Sequence, residues 1–337
     1  MRYLLKVAGL FVVLSFLMTG PASAAKKLNF TMDWIIYSAH TFAIAADKLG
    51  YYKEAGLNIG IRRGFGSTDT IKKVGVGQAD FGMADTGSLI VARTKGIKAK
   101  ELGVLYARAP YEIACLKKRG IEKPKDIEGK ILGTNIGTSV YTLFPAFARA
   151  SGVDQSKVKW AFIQPSAIIP SLVSGKIDCA FVYANNRPIA VNNVRKAGQG
   201  EITVLAYADH GVDIYANGLI TQDERIANNP DQVRRFVEAS FKGVAWVVEN
   251  PKKGLQIVLD RFPSLNRQNN LEGLRVSLDL LLTDETKKHG VGWMSREKVK
   301  RTRDLTTKYM KLKTVVPIDD IYTMKFLPKL FPKRGEL

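Results

Sequence analysis

The sequence predicts an α/β protein made of two similar lobes, and two observations carry this prediction. Residues 60–92 alternate short apolar strands with amphipathic helices, joined by polar loops. Each strand there ends in small polar residues beside a predicted helix start, which is where open α/β sheets bind ligands. The same spacing returns about a hundred residues later: an apolar residue, a glycine six positions on and an aspartate nine positions on. The matching residues are Ile71, Gly77 and Asp80, and then Ile169, Gly175 and Asp178.

The first lobe is predicted to begin with a strand over 28–34 and a helix over 41–53. A short strand ending at Ile61 follows, and then a helix with Ser67 or Thr68 as its N-cap. A buried strand over 79–84 leads to a further helix that begins at Asp85. Strands over 102–108 and 111–117 complete this part of the lobe.

The second lobe is predicted to repeat this order, with a strand over 130–135, a helix over 140–150 and a strand that leads to Tyr183. Strands over 201–208 and 213–220 return the chain to the first lobe. Helices follow over 229–248, 251–261, 268–282 and 295–310, with apolar residues at helical spacing. The predicted boundaries are 26–116 and 208–337 for the first lobe and 117–207 for the second.

The N-terminus predicts export from the cytoplasm. Arg2 and Lys6 precede an apolar run over 7–18, and small residues end the segment at Ala24. This is the pattern of a secretory signal peptide over 1–24, cleaved near Ala24, which places the mature protein in the periplasm. The apolar run is too short to favour the alternative, an uncleaved anchor helix.

Charge and cysteine content restrict the class of function. Removing Arg2 and Lys6 leaves 49 basic and 31 acidic residues. The basic residues are scattered as pairs and triplets, so no nucleic-acid partner is predicted. Export permits a disulfide between Cys115 and Cys179, the two cysteines of the chain. Both lie inside strand-like runs, which rarely reach bridging geometry, so two buried free thiols are predicted. No metal or cofactor motif is present, and no cofactor is predicted.

The candidate ligand-binding residues lie where predicted strands meet helices or loops. Aromatic, carboxylate, imidazole, hydroxyl and amide groups all occur at these positions. The predicted site comprises Asp33, Trp34, Tyr37, His40, Ser67, Thr68, Asp85, Thr86, Tyr106, Arg108, Thr138, Ser139, Tyr183 and Asn185.

Several of these stretches resemble a known family of soluble substrate-binding proteins of ABC importers. The resemblance lies in residues 28–34, 45–57, 77–82 and 123–130, with 175–180 repeating the family's glycine-aspartate motif. The family binds nitrate, taurine, aliphatic sulfonates and the pyrimidine precursor of thiamine. It implies a type II periplasmic-binding-protein fold, in which two crossover strands join two lobes around the ligand. It also implies a monomer that delivers its ligand to a membrane permease.

The ligand and the class of function stay open at this level. Trp34, Tyr37, Tyr106 and Tyr183 favour a planar ring such as a thiamine-type pyrimidine, and Asp33 and Asp85 suit its amino groups. Hydroxyls at helix starts, with Arg108, favour a taurine, sulfonate or nitrate anion instead. Two further hypotheses are a ligand-sensing domain and a pyrimidine-synthesis enzyme. Enzymes related to the family carry a cysteine-rich motif that this chain lacks, so no enzyme is predicted.

Overall fold

The computed structural model describes residues 26–337, and the predicted signal peptide over 1–24 lies outside them. The strands are β1 (Lys27–Thr31), β2 (Asn58–Arg62), β3 (Phe81–Asp85), β4 (Ala99–Val104), β5 (Tyr111–Leu116), β6 (Ile131–Thr134), β7 (Lys159–Phe162), β8 (Cys179–Tyr183), β9 (Ile202–Ala206) and β10 (Asn217–Gln222). The helices are α1 (Thr41–Lys48), α2 (Tyr51–Glu54), α3 (Ser67–Gly75), α4 (Thr86–Arg93), α5 (Ser139–Thr142), α6 (Phe144–Ser151), α7 (Ile168–Val173), α8 (Arg187–Lys196), α9 (Asp223–Asn228), α10 (Pro230–Glu249), α11 (Pro251–Arg261), α12 (Arg267–Leu281), α13 (Asp284–His289), α14 (Arg296–Met310) and α15 (Ile318–Ile321).

Two five-stranded sheets form two lobes, which confirms the predicted α/β architecture. The sheet of the first lobe has the order β2-β1-β3-β10-β4, and that of the second has β7-β6-β8-β5-β9. In each sheet three parallel strands are followed by one antiparallel strand. That strand is β10 in the first sheet and β5 in the second. The two lobes are therefore structural repeats in which the chain crosses between sheets after β4 and again after β9.

The first crossing falls earlier than the predicted boundary at residue 117. The strand β5 pairs with β8 and β9, so it belongs to the second sheet and not to the first lobe. A short apolar strand carries no mark of the sheet it joins, because its partners are distant in sequence. The strands predicted over 102–108 and 213–220 are displaced, because β4 spans Ala99–Val104 and β10 spans Asn217–Gln222. Beyond β4, the backbone N–H groups of Leu105 and Tyr106 donate to the carbonyl oxygen of Asn217. The two crossing segments thus run side by side.

The repeated aspartates have the same role in both lobes. The backbone N–H of Asn29 donates to Asp80 at 2.7 Å, and that of Ile131 donates to Asp178 at 2.8 Å. Each aspartate directly precedes the third of the three parallel strands of its lobe and ties it to the first of them. This confirms that the repeated glycine-aspartate spacing marks structure.

The prediction of free thiols is wrong, because Cys115 and Cys179 form a disulfide. The two residues lie directly opposite each other on the antiparallel strands β5 and β8, with Cα atoms 3.9 Å apart. The neighbouring pair, Leu116 and Asp178, makes the ladder hydrogen bond, so the cysteines occupy the closer, non-hydrogen-bonded type of pair. The prediction missed this register because it depends on strand pairing and not on either strand alone.

The C-terminal helices cover the first sheet. The predicted apolar face of α10 is buried, and Phe236 stacks on Phe81 with ring centroids 3.7 Å apart. The ring of Phe30 packs edge-on against that of Phe236. Within residues 26–337, no helix is both long enough and apolar enough to cross a bilayer.

Candidate ligand-binding site

A cavity lies between the two lobes at the carboxyl ends of the parallel strands. It encloses about 390 Å³ of space, including its mouth. The first lobe contributes the loop after β1 and the start of α3, and the second lobe contributes the start of α5 and the end of β8. The lining residues are Asp33, Trp34, Tyr37, Gly66, Ser67, Thr138, Ser139, Val140, Phe181, Val182, Tyr183 and Asn186. This is the position at which an open α/β sheet binds ligands.

The Asp33 carboxylate is held in place by two buried side chains. His40 Nε2 lies 2.8 Å from Oδ1, and Asn217 Nδ2 donates to Oδ2 at 2.8 Å. Because His40 Nδ1 accepts a hydrogen bond from the backbone N–H of Tyr37, Nε2 carries the proton and donates to Asp33. Each carboxylate oxygen keeps further acceptor capacity. Asp33 is therefore a fixed acceptor at the cavity wall.

Two buried serine hydroxyls in the cavity lining lack hydrogen-bond partners. Ser67 lies at the start of α3 and Ser139 at the start of α5, one on each lobe, and both Oγ atoms are unpaired. Both hydroxyls lie near the Tyr183 hydroxyl and lower its pKa. Neither makes a hydrogen bond of normal geometry with it. Burial, then the charges of Asp85 and Asp33, raise the pKa of Tyr183, so its hydroxyl stays a donor. A ligand between the lobes can satisfy these groups.

A second carboxyl group, that of Asp85, is buried close to Asp33 and Tyr183 but does not line the cavity. Asp85 caps α4 by accepting the backbone N–H of Ser88 at 2.5 Å, and the Tyr111 hydroxyl donates to its other oxygen. Burial raises the pKa of Asp85 to about 7, against the lowering effect of the Ser88 hydrogen bonds. Next to it, burial raises the pKa of Glu101, whose carboxyl contacts the Thr86 hydroxyl at 2.7 Å. The charge of Asp33 above adds to the rise for Asp85.

The structure brings half of the predicted site residues to the cavity and places the others elsewhere. Those that line it are Asp33, Trp34, Tyr37, Ser67, Thr138, Ser139 and Tyr183. His40, Asp85, Thr86, Tyr106 and Asn185 are buried behind the lining, where they bond to other protein groups. The remaining two lie outside: Thr68 is exposed and bonds to Thr142 across the lobes, and Arg108 is exposed near Asp209.

Five lining residues were not predicted from the sequence. Gly66 and Val140 are adjacent to predicted residues, and Asn186 follows the predicted Asn185. Phe181 and Val182 read as strand core, yet strand alternation places Phe181 on the same face as Tyr183, which was predicted. None of the lining residues is Lys or Arg. The lining is thus aromatic and hydroxyl-rich, with one carboxylate.

Two α/β lobes joined by paired crossing segments, with this cavity between them, define the periplasmic-binding-protein fold. A solved structure of the alkanesulfonate-binding protein SsuA from Xanthomonas axonopodis, bound to MOPS, shares the fold with a TM-score of 0.68. It is 12% identical, and the match covers 90% of this chain and 99% of that chain. The chain belongs to the NMT1/THI5-like family, whose model matches residues 37–254.

Curated relatives carry names of both binding proteins and a synthase. The riboflavin-binding protein RibY of Chloroflexus aurantiacus is 27% identical, over 85% of this chain and 82% of the relative. The formylaminopyrimidine-binding protein of Halalkalibacterium halodurans is 25% identical, over 82% and 85%. A 4-amino-5-hydroxymethyl-2-methylpyrimidine phosphate synthase of Legionella pneumophila is 24% identical, over 72% and 76%.

Proposed function

We propose that this protein is the exported solute-binding component of an ABC importer and that it captures a small planar nitrogen heterocycle, with a thiamine-type pyrimidine as the specific candidate. In the periplasm the lobes would close around the ligand, and the closed protein would deliver it to a permease in the membrane. The observation that carries the proposal is the cavity lining, which joins aromatic rings to a fixed carboxylate and unpaired hydroxyls on both lobes.

The aromatic and acidic groups favour a neutral or cationic heterocycle. The rings of Trp34, Tyr37 and Tyr183 offer faces and edges for stacking. Asp33 accepts hydrogen bonds, which suits ring amino groups. It would also repel a sulfonate or nitrate, and no lining residue supplies a balancing cation. Two relatives are named as a riboflavin-binding and a formylaminopyrimidine-binding protein, and both named ligands belong to this class.

The second candidate ligand is a sulfonate or similar small anion. Its support is the pair of unpaired hydroxyls at the starts of α3 and α5, because hydroxyl groups at helix starts suit anionic oxygens. A synthase activity is the weaker alternative, because both cysteines are held in the disulfide and no cysteine-rich motif is present in the sequence.

Calorimetric titration with 4-amino-5-hydroxymethyl-2-methylpyrimidine and with taurine separates the two ligand classes. We expect saturable binding of the pyrimidine and none of taurine. Binding of taurine alone would refute the proposed ligand class while leaving the solute-binding role intact. Mass spectrometry of small molecules released from natively exported protein would identify the ligand without a prior choice.

A further inference from the structure

One buried amide joins the second lobe to three separate elements of the first lobe. Asn185 lies between β8 and α8 and is 1% exposed. Its Oδ1 accepts a hydrogen bond from the Tyr37 hydroxyl at 2.9 Å. Its Nδ2 donates to the Tyr106 hydroxyl and to Ser277 Oγ, each at 3.0 Å. The amide oxygen and both amide protons are therefore engaged across the lobe boundary.

The three partners come from different parts of the first lobe. Tyr37 lies in the loop after β1, Tyr106 in the first crossing segment and Ser277 on α12. All three are buried, so loss of the amide would leave polar groups unpaired in the interior, which is costly. The network thus favours one relative position of the lobes.

Asn185 itself does not line the ligand cavity. Its neighbours Tyr183 and Asn186 do, and so does its partner Tyr37. The side chain has no free donor left for a ligand. Asn185 lies next to the lining but is not part of it. A substitution of Asn185 can therefore change closure of the lobes without removing a contact to the ligand.

The backbone at this point is also fitted to the first lobe. A Cβ atom on Gly273 of α12 would lie 2.5 Å from the carbonyl oxygen of Asn185 and 2.7 Å from Ser38 Oγ. A side chain at residue 273 would push the β8–α8 segment away from α12. The close approach therefore depends on glycine at this position.

We propose that Asn185 is a latch that positions the second lobe against the first, and that it sets ligand affinity through the closed fraction of the protein. A ligand that needs the closed state binds more weakly in proportion to the loss of that state. The inference rests on the proposed solute-binding function, but closure can be measured without any ligand.

The test compares ligand-free variants by small-angle scattering and by hydrogen exchange of residues 183–190. Asn185→Ala removes the amide, and Gly273→Ala separates the same surfaces without removing a hydrogen-bonding group. Both should increase the radius of gyration and speed exchange by about fivefold or more, as expected for a locally opened state. Asn193→Ala, an exposed asparagine on α8, is the matched control and should leave both unchanged.

Tyr106→Phe is the mild variant, because it removes one hydroxyl and no cavity-lining group. It should speed exchange of residues 183–190 less than Asn185→Ala does. In titrations with 4-amino-5-hydroxymethyl-2-methylpyrimidine, Asn185→Ala and Gly273→Ala should weaken binding by about 5–50-fold, as a reduced closed fraction requires. If folded Asn185→Ala keeps the wild-type radius and exchange, the latch is refuted. Failure of the pyrimidine to bind wild-type protein would instead count against the proposed ligand and leave the ligand-free result standing.

Discussion

The carboxyl group of Asp85 shows how one buried residue couples stability to pH. Its two oxygens accept from the Ser88 backbone and the Tyr111 hydroxyl, and burial raises its pKa from 3.8 to about 7. The folded state therefore holds a proton that the unfolded state releases at lower pH. The stability due to this proton is complete below about pH 4 and is lost as the pH rises through about 7.

We predict that Asp85→Asn removes this part of the pH dependence. Urea unfolding of the wild type and the variant should diverge between pH 4 and pH 7, by at most about 4 kcal/mol for a rise of about three pKa units. The variant should lose less stability over that range. The exposed Asp209→Asn is the control, and parallel curves for Asp85→Asn and the wild type would contradict the prediction.

Trp34 is the cavity residue with the clearest expected effect on binding. It is half-buried in the lining, beside the fixed carboxylate of Asp33. If the ligand is a pyrimidine, Trp34→Ala should cost about 1–3 kcal/mol of binding, the scale for losing an aromatic stacking partner. Trp293, which stacks on His289 away from the cavity, provides the control Trp293→Ala. Equal calorimetric affinities for the two variants would argue against stacking.

At the scale of single elements, the disulfide joins the strand that enters the second lobe to the third of that lobe's parallel strands. It links β5 to β8 across 64 residues of sequence. That span contains β6, β7 and the helices between them, which form most of the second sheet's parallel part. The covalent link therefore restricts this part of the second lobe in the unfolded state, while α8 and β9 lie outside the closed loop.

We predict that Cys115→Ala with Cys179→Ala lowers the free energy of unfolding by about 2–5 kcal/mol, the usual range for loss of a native disulfide. Reduction of the wild type before denaturant unfolding should produce a similar loss. The double variant should not respond to reductant. A wild-type protein that unfolds at the same denaturant concentration with and without reductant would contradict this prediction.

Local patterns predicted the elements and the repeat, but not the relations between distant elements. Helix α10 and the aspartate spacing followed from periodicity. The sheet that β5 joins and its bond to β8 depend on register between distant strands. In the site, strand ends located the cavity correctly. The Asn185 side chain is not part of the cavity lining, because it bonds to Ser277 of α12. That helix lies far away in sequence, so local patterns could not predict this contact.

At the scale of the whole molecule, the lobes also meet by their backbones at a second place. The N–H of Thr68 on the first lobe donates to the carbonyl oxygen of Gly137 on the second at 3.0 Å. The hydroxyls of Thr68 and Thr142 lie 3.0 Å apart beside this contact. Gly66 faces Gly137 there, so glycines on both sides permit the approach. This contact borders the cavity near Ser67 and Ser139 and closes it from that side.

We predict that Gly137→Ala prevents full closure of the lobes. Its Cβ would lie 2.7 Å from the carbonyl oxygen of Phe65 on the opposite lobe, so the two backbones must move apart. Gly137 is not one of the glycines with a positive φ, so an alanine at this position adds a clash between the lobes without straining its own backbone.

Small-angle scattering with and without a bound ligand provides the measurement. Wild-type protein should become more compact with ligand and gain thermal stability by mass action, because the ligand contacts both lobes and favours the closed state. Gly137→Ala should keep the melting temperature of ligand-free protein but show little compaction and weaker binding. Ile136→Ala, an exposed side chain in the same loop, should behave as the wild type. If Gly137→Ala becomes as compact with ligand as the wild type does, closure does not need the close approach of Gly66 and Gly137, and the prediction is wrong.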